Sequence, residues 1–574
     1  SRGLVAGLLV ALAASAGAQS GAIQPKQLAG PPSEFPQHRL PDARDAALRS
    51  TSVLLPVELA PSREGGWQWS GRLTLDGENP RFVVFGEQEG GWRTLLTTAF
   101  NPDARAAETL ATDSGPGDLG IGNERFYGTV YQFDQRAADW TVTLRADAPG
   151  ATEGFVLAAS DSPWQLVSWH SGNAWPGQPL EFHASSEHRH ERDAGQADIA
   201  RAWLRVTAPD GRISRHAISG NGYASLSSAP RELTGVFVPQ VAGDYTVQVM
   251  VEGRTPDGQA FQRSAQHLVT VVDNPVEVVD GIAAGSRVVD ETRLMIDPGV
   301  TSRAAGGFVH AWTEVWGTVG KEMVPVAWIG GMVDAARPEL ALDGRWIALA
   351  GASAPFELRN LRLSDADHFV TLASVKRRAL AVGRLPQAAS RIPDKIDPAM
   401  RMGPRPEWGS SQRAGARLLL VHGYCSGNVW GGVAGQFTGE SIFQDFNQNR
   451  SHDAFARQIL SFGQSYDSYG IVAHSQGGAA ATHLYTYYWS GLDFASGGRL
   501  IQSVGTPYHG TALAGNLAAI GDVFGVGCGT NSNLTYSGSA SWLAGIPSWA
   551  RAAVNYYTTS FTDLWWRWDY CNAV

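Results

Sequence analysis

Within this 574-residue chain, Ala473-His474-Ser475-Gln476-Gly477-Gly478 is the run whose residue types could do chemistry. A serine hydroxyl becomes a nucleophile only when held exposed beside a base and an oxyanion site. A sharp strand-to-helix turn gives that exposure, and it needs small residues two positions either side, here Ala473 and Gly477. Upstream, Val421-His422-Gly423-Tyr424 closes an apolar segment; the backbone N–H groups of Tyr424 and Gln476 could form an oxyanion hole. Downstream, Gly505-Thr506-Pro507-Tyr508-His509-Gly510 follows a third apolar run. The chemistry this spacing predicts is cleavage of a carboxylic ester or lipid: Ser475 as nucleophile, Tyr424 and Gln476 as oxyanion donors, and His422, Gly423, His474 and Gly477 shaping the turn. No cofactor and no metal is called for.

A serine triad of this kind runs Ser, then Asp or Glu, then His. After Val504 the sequence offers no further convincing buried strand, so the acid and the histidine are expected past residue 574. His509 could approach Ser475, but the chain order would then require an acid between them. His483 is expected to face the wrong end of its helix. The three cysteines, Cys425, Cys528 and Cys571, are an odd number for an exported protein. Cys425 is expected in a disulfide, with Cys528 and Cys571 both open as partners. The polar stretch Glu187 to Arg192 lacks zinc-ligand spacing and reads as a loop. Residues 516–549, rich in Gly, Ser and Trp, read equally as a lid over an acyl pocket or as a loop packed on the sheet.

The elements that must position these residues fall into several domains. Residues 1–18 read as a signal peptide: Arg2, an apolar run from Leu4 to Ala14, and Ala16-Gly17-Ala18 as a cleavage site. Residues 19–50 read as a linker or propeptide. Short alternating strands bounded by Gly and Pro dominate 51–159, as in Trp140-Thr141-Val142-Thr143-Leu144. Residues 160–273 read as a β-sandwich resembling immunoglobulin-like modules, on the Ala208-Pro209-Asp210-Gly211 turn and the Gly243-Asp244-Tyr245 corner. A further β-rich domain is expected over 274–385 and a linker over 386–413. From 414 to 574, apolar strands near Leu418 to Val421, Ile471 to Ala473 and Leu500 to Val504 alternate with helices near 452–465 and 477–489. That alternation is an α/β layer pattern. The expected fold is therefore multidomain: N-terminal all-β sandwich-like domains, one immunoglobulin-like, followed by an incomplete α/β-hydrolase domain.

Residues 420–427, 473–478, 485–493, 537–542 and 555–561 resemble the hydrolase part of bacterial proteins related to conditioned medium factor, a secreted cell-density signal of social amoebae. The resemblance implies an exported protein, either lipase-like or acting as a signal. A second function class follows from it: an extracellular signalling or adhesion protein that uses the hydrolase fold as a scaffold, its β domains facing a protein or glycan partner. The charge balance, 54 acidic against 45 basic residues, is spread along the chain without a basic stripe, which excludes a nucleic-acid partner. No stretch after the signal peptide is long and apolar enough to predict a transmembrane helix. Secretion, outside the cell or into a periplasm, is the expected destination.

Overall fold

The computed structural model describes residues 23–558 apart from 87–91, 99–107, 110–126, 134–138, 148–151, 173, 192–193, 221–231, 408–414, 448, 512–513 and 515–528. The signal peptide expected at 1–18, Cys528, Cys571 and the first part of the 516–549 segment lie outside the described residues.

Alternation between apolar and polar side chains builds the first β unit. Trp140, Val142 and Leu144 are buried while the residues between them are not. The strand Asp139–Ala146 pairs antiparallel with Trp67–Thr74 and Arg93–Thr98. A second sheet carries Ser52–Glu58, Glu153–Asp161 and Glu78–Gly86. The Phe82 and Trp140 rings meet between the sheets at 4.9 Å, edge to face.

In the second unit, eight strands run in the spatial order 260–271, 243–254, 198–207, 213–220, 233–237, 180–188, 164–172 and 48–50. Gly211, at φ 81°, accepts the left-handed turn that a side chain would resist, and its N–H donates to the Ala208 carbonyl at 2.9 Å. Tyr245 closes the adjoining corner by donating its hydroxyl to the Val241 carbonyl at 3.0 Å. The third unit is built on a five-stranded antiparallel sheet containing Phe308–Val319, Glu322–Asp334, Ser353–Asp365 and Thr371–Leu380.

Its fifth strand is Leu28–Gly30, which pairs with Glu322–Asp334. Residues 23–50, read above as linker or propeptide, are thus packed into the fold. Lys26 is buried against Asp493 at 2.6 Å, and its backbone N–H donates to the Tyr487 carbonyl at 2.7 Å. Phe35 and His38 are buried against Trp316, Trp312 and Trp328. Leu48–Ser50 then pairs with Trp164–Gly172 of the second unit. One short segment therefore touches the last region, the third unit and the second unit in turn. Within the 386–413 stretch, also read as a linker, Ala388 and Met400 are buried.

The C-terminal region holds a fully parallel sheet in the order 440–443, 416–421, 468–474, 501–504 and 554–557. The strand Val554–Tyr557 follows Val504, where no further buried strand was expected. Only Val554 in it is buried, and Tyr556 and Tyr557 are exposed, so it has no apolar run to announce it. Helices His452–Gly463 and Gln476–Tyr487 pack on the sheet. Their core is continuous with that of the third unit: Leu419, Ile471, Tyr487 and Trp542 join Leu28, Trp312, Trp328 and Phe369 in one apolar cluster.

Candidate functional site

The Ala473 to Gly478 segment forms the tight turn its residue types require. Strand Ser468–His474 ends at Ser475, whose φ of 52° and ψ of −132° lie outside the ordinary regions for an L-residue. Backbone bonds hold it there: the Ser475 N–H donates to the Val504 carbonyl at 2.9 Å, and its carbonyl accepts from Thr506 Oγ1 at 2.6 Å. A side chain at Gly477 would run into the His422 carbonyl, and one at Gly423 into Ser475 itself. The small residues are thus explained by close approach of backbone segments.

The surrounding polar groups are committed to structure. His422 donates from Nδ1 to the Gly423 carbonyl at 2.8 Å and accepts the Asp445 N–H on Nε2 at 2.9 Å. His483 is fully buried: Trp542 donates to its Nδ1 at 3.1 Å, and Nε2 faces Asp453 at 3.1 Å. Burial pulls the His474 imidazole below its ordinary range, with His422 adding to the effect. The Gln476 side chain is buried, donating to the Arg450 carbonyl at 2.8 Å. Tyr424 donates its hydroxyl to the Gly529 carbonyl. Cys425 is disulfide-bonded. His509 is exposed and lines a cleft with Gln37, Arg39, Tyr536 and Arg551. Among the described residues, none of these imidazoles is hydrogen-bonded to the Ser475 hydroxyl.

A second feature was not legible in the sequence. Four segments distant along the chain enclose a cleft of about 830 Å³. The N-terminal segment contributes Arg39 to Ala43, the second unit His170 and His267, and the third unit Arg362 and Ser374. The C-terminal region adds Tyr536 and Ser541. Such a volume is within the range of small-molecule sites, and junctions between domains are where they concentrate. Among the described residues, no helix is long and apolar enough to cross a membrane.

The family models of conditioned medium factor match this chain in order. Its first, second and third Ig-like domains match residues 52–158, 165–271 and 310–404, and its C-terminal domain matches 413–574. Three Ig-like domains therefore stand where the sequence suggested one. The conditioned medium factor of Dictyostelium discoideum is 31% identical over 641 residues, covering 96% of this chain and 89% of that protein. Among solved structures, a Bacillus licheniformis lipase in its propeptide form is 13% identical, covers 39% of this chain and 42% of its own, and superposes at a TM-score of 0.23. Dimeric latent PorU from Porphyromonas gingivalis is 11% identical over 57% of this chain and 34% of its own, at 0.14. Both scores are too low to argue a fold.

These matches overturn the expectation of a serine carboxylic-ester hydrolase. The region carrying Ser475 matches the C-terminal domain of conditioned medium factor, and no hydrolase likeness of usable strength accompanies it. The matches speak to the activity of the chain as a whole and not to Ser475, Tyr424, Gln476 and His509 one by one. The turn is real, but a strained serine between a strand and a helix is a property of backbone geometry before it is one of catalysis. With four domain models matched in sequence and a relative aligned along nearly its whole length, the chain belongs to the conditioned medium factor family.

Proposed function

We propose that this protein is an extracellular signalling factor, released by cells and sensed by them as a measure of their density. The observation that carries the reading is the 31% identity to conditioned medium factor over 96% of the chain, because it takes in every unit rather than one module. The signal-peptide pattern at 1–18 supports export. The architecture supports recognition: β domains locked onto a compact C-terminal region present a fixed surface to a partner rather than a string of independent beads.

The test is conditioning itself. Cells lacking this chain, kept at low density, are given the purified protein. The expected result is recovery of the response that wild-type cells show only when crowded, with heat-unfolded protein inert. Failure of the folded protein to restore any density-dependent response, at concentrations found in dense wild-type medium, overturns the reading.

A further inference from the structure

We propose that the cleft between the N-terminal segment, the second and third Ig-like domains and the C-terminal domain is a binding site for a neutral, polyhydroxylated ligand, that is, a glycan. Within it, the buried charges Glu314 and Arg362 are already engaged by the protein. Glu314 accepts from Trp316 Nε1 and from Asn360 Nδ2, both at 2.9 Å. Arg362 directs two N–H groups to the His38 carbonyl, each at 3.2 Å, and rests its guanidinium 5.6 Å from the Trp312 ring. Asp42 accepts the Arg44 N–H at 2.9 Å. The remaining free cations, Arg39 and Lys376, are exposed residues of the lining.

What the cleft leaves open is neutral hydrogen-bonding capacity. The hydroxyls of Thr371, Ser374 and Ser541 reach solvent and have no hydrogen-bond partner among the described residues. A hydroxyl both donates and accepts, which matches the double character of sugar hydroxyls. His170 and His267 stand edge to face at 5.6 Å on another wall; His267 Nε2 is bonded to Ser168 Oγ at 2.8 Å, so His170 is the ring a ligand would meet. Burial holds both imidazoles below their ordinary range, so at neutral pH each keeps one donor and one acceptor nitrogen. Tyr536, half-buried, offers a ring for the apolar face of a sugar. Because the walls come from four segments, an occupied cleft would also bias how the domains sit together.

This inference rests on the cleft and not on the signalling reading, since it is measured on purified protein without cells. The full chain is tested on an array of neutral and acidic glycans, and titrated with the neutral trisaccharide maltotriose by calorimetry. Single Ser374→Trp and Ser541→Trp variants, which place a ring in the cleft from positions that reach solvent, are compared after their melting curves are shown to match the parent. Saturable binding of neutral glycans, weakened at least tenfold in both variants, is the expected result. Binding confined to acidic glycans, no binding to any neutral glycan, or binding unchanged in both variants would overturn it.

Discussion

Lys26 shows how much can depend on one side chain. Its ammonium is buried, paired with Asp493 at 2.6 Å, and lies 4.5 Å from the Tyr485 ring centre. Burial pushes both partners toward their neutral forms, and their mutual attraction opposes this. Removing one partner strands the other's charge in the core, which costs about 3–5 kcal/mol. Lys26→Ala is therefore expected to lose a stability of that order in urea unfolding. Lys26→Met combined with Asp493→Asn should recover most of it, because Asn can still accept the Ser490 N–H that Asp493 takes at 2.9 Å. A double variant as unstable as the single one would show that packing, not charge, is at stake. Ser475 poses the opposite question. Its unusual backbone stores ~1–3 kcal/mol, and glycine gives back about 0.5–1 kcal/mol in chain entropy. Ser475→Gly should thus be more stable by on the order of 1 kcal/mol, and if the chain is a signal it should still restore the density response. A Ser475→Gly protein that is folded yet silent on cells would reopen a chemical role for the hydroxyl.

At the scale of elements, the strand Leu28–Gly30 is the piece whose importance the sequence hides. Gly30 lies against the third Ig-like domain, and a side chain there would meet Trp328 Nε1 and the Glu34 carboxylate, which are hydrogen-bonded to each other at 2.9 Å. Overpacking of this kind costs ~1–3 kcal/mol. Gly30→Val should lower the urea midpoint accordingly and loosen the N-terminal segment, read as faster amide exchange at residues 26–30. Exchange unchanged there would mean that the strand is not held by this contact. The same element explains what could be read from residue order. Strands with clean alternation, such as Asp139–Ala146, and apolar runs such as Leu418 to Val421 announce themselves through periodicity. So does the Ser475 turn, through its small neighbours. A three-residue edge strand preceded and followed by prolines has too few positions for any period, and it takes its conformation from Glu322–Asp334, some 300 residues away. Val554–Tyr557 is hidden for the same reason: an edge strand with a single buried residue carries no pattern. The cleft was beyond reach because its walls are neighbours only in space.

For the molecule as a whole, the question is what makes four domains one body. Acid should take it apart progressively. His38 and His170 are held down to about 4 and His452 to about 3, in each case chiefly by burial. As pH falls below the ordinary imidazole value of about 6.5, the unfolded chain binds protons before the folded one. The stability is therefore complete above that value and drains as pH drops toward 4. Melting temperature is expected to fall steadily across this window, and more shallowly in His38→Gln, which gives up one of the titrating groups. A flat profile down to pH 4 would contradict the buried, neutral state of these rings. The joint between the first two Ig-like domains rests on a different buried group. Asp76 accepts from Arg263, on the strand 260–271, and from Ser162, in the link between the strands 153–161 and 164–172, and both members of the ion pair are almost wholly buried. Around it Leu54 exchanges backbone bonds with Ser264 Oγ at 2.9 Å and Gln248 Nε2 at 2.6 Å, so polar contacts run beside the apolar one in which Met250 and Trp203 join the first unit's core. Polar interfaces hold only while every group is paired. Asp76→Ala leaves the Arg263 guanidinium buried without its carboxylate, a loss of about 3–5 kcal/mol concentrated at one joint. The first domain should then swing free while the other three stay together. Small-angle scattering would show this as a larger radius of gyration, and calorimetry as a separate early transition. A variant that keeps both the parent's scattering profile and a single melting transition would place the strength of that joint elsewhere in the interface.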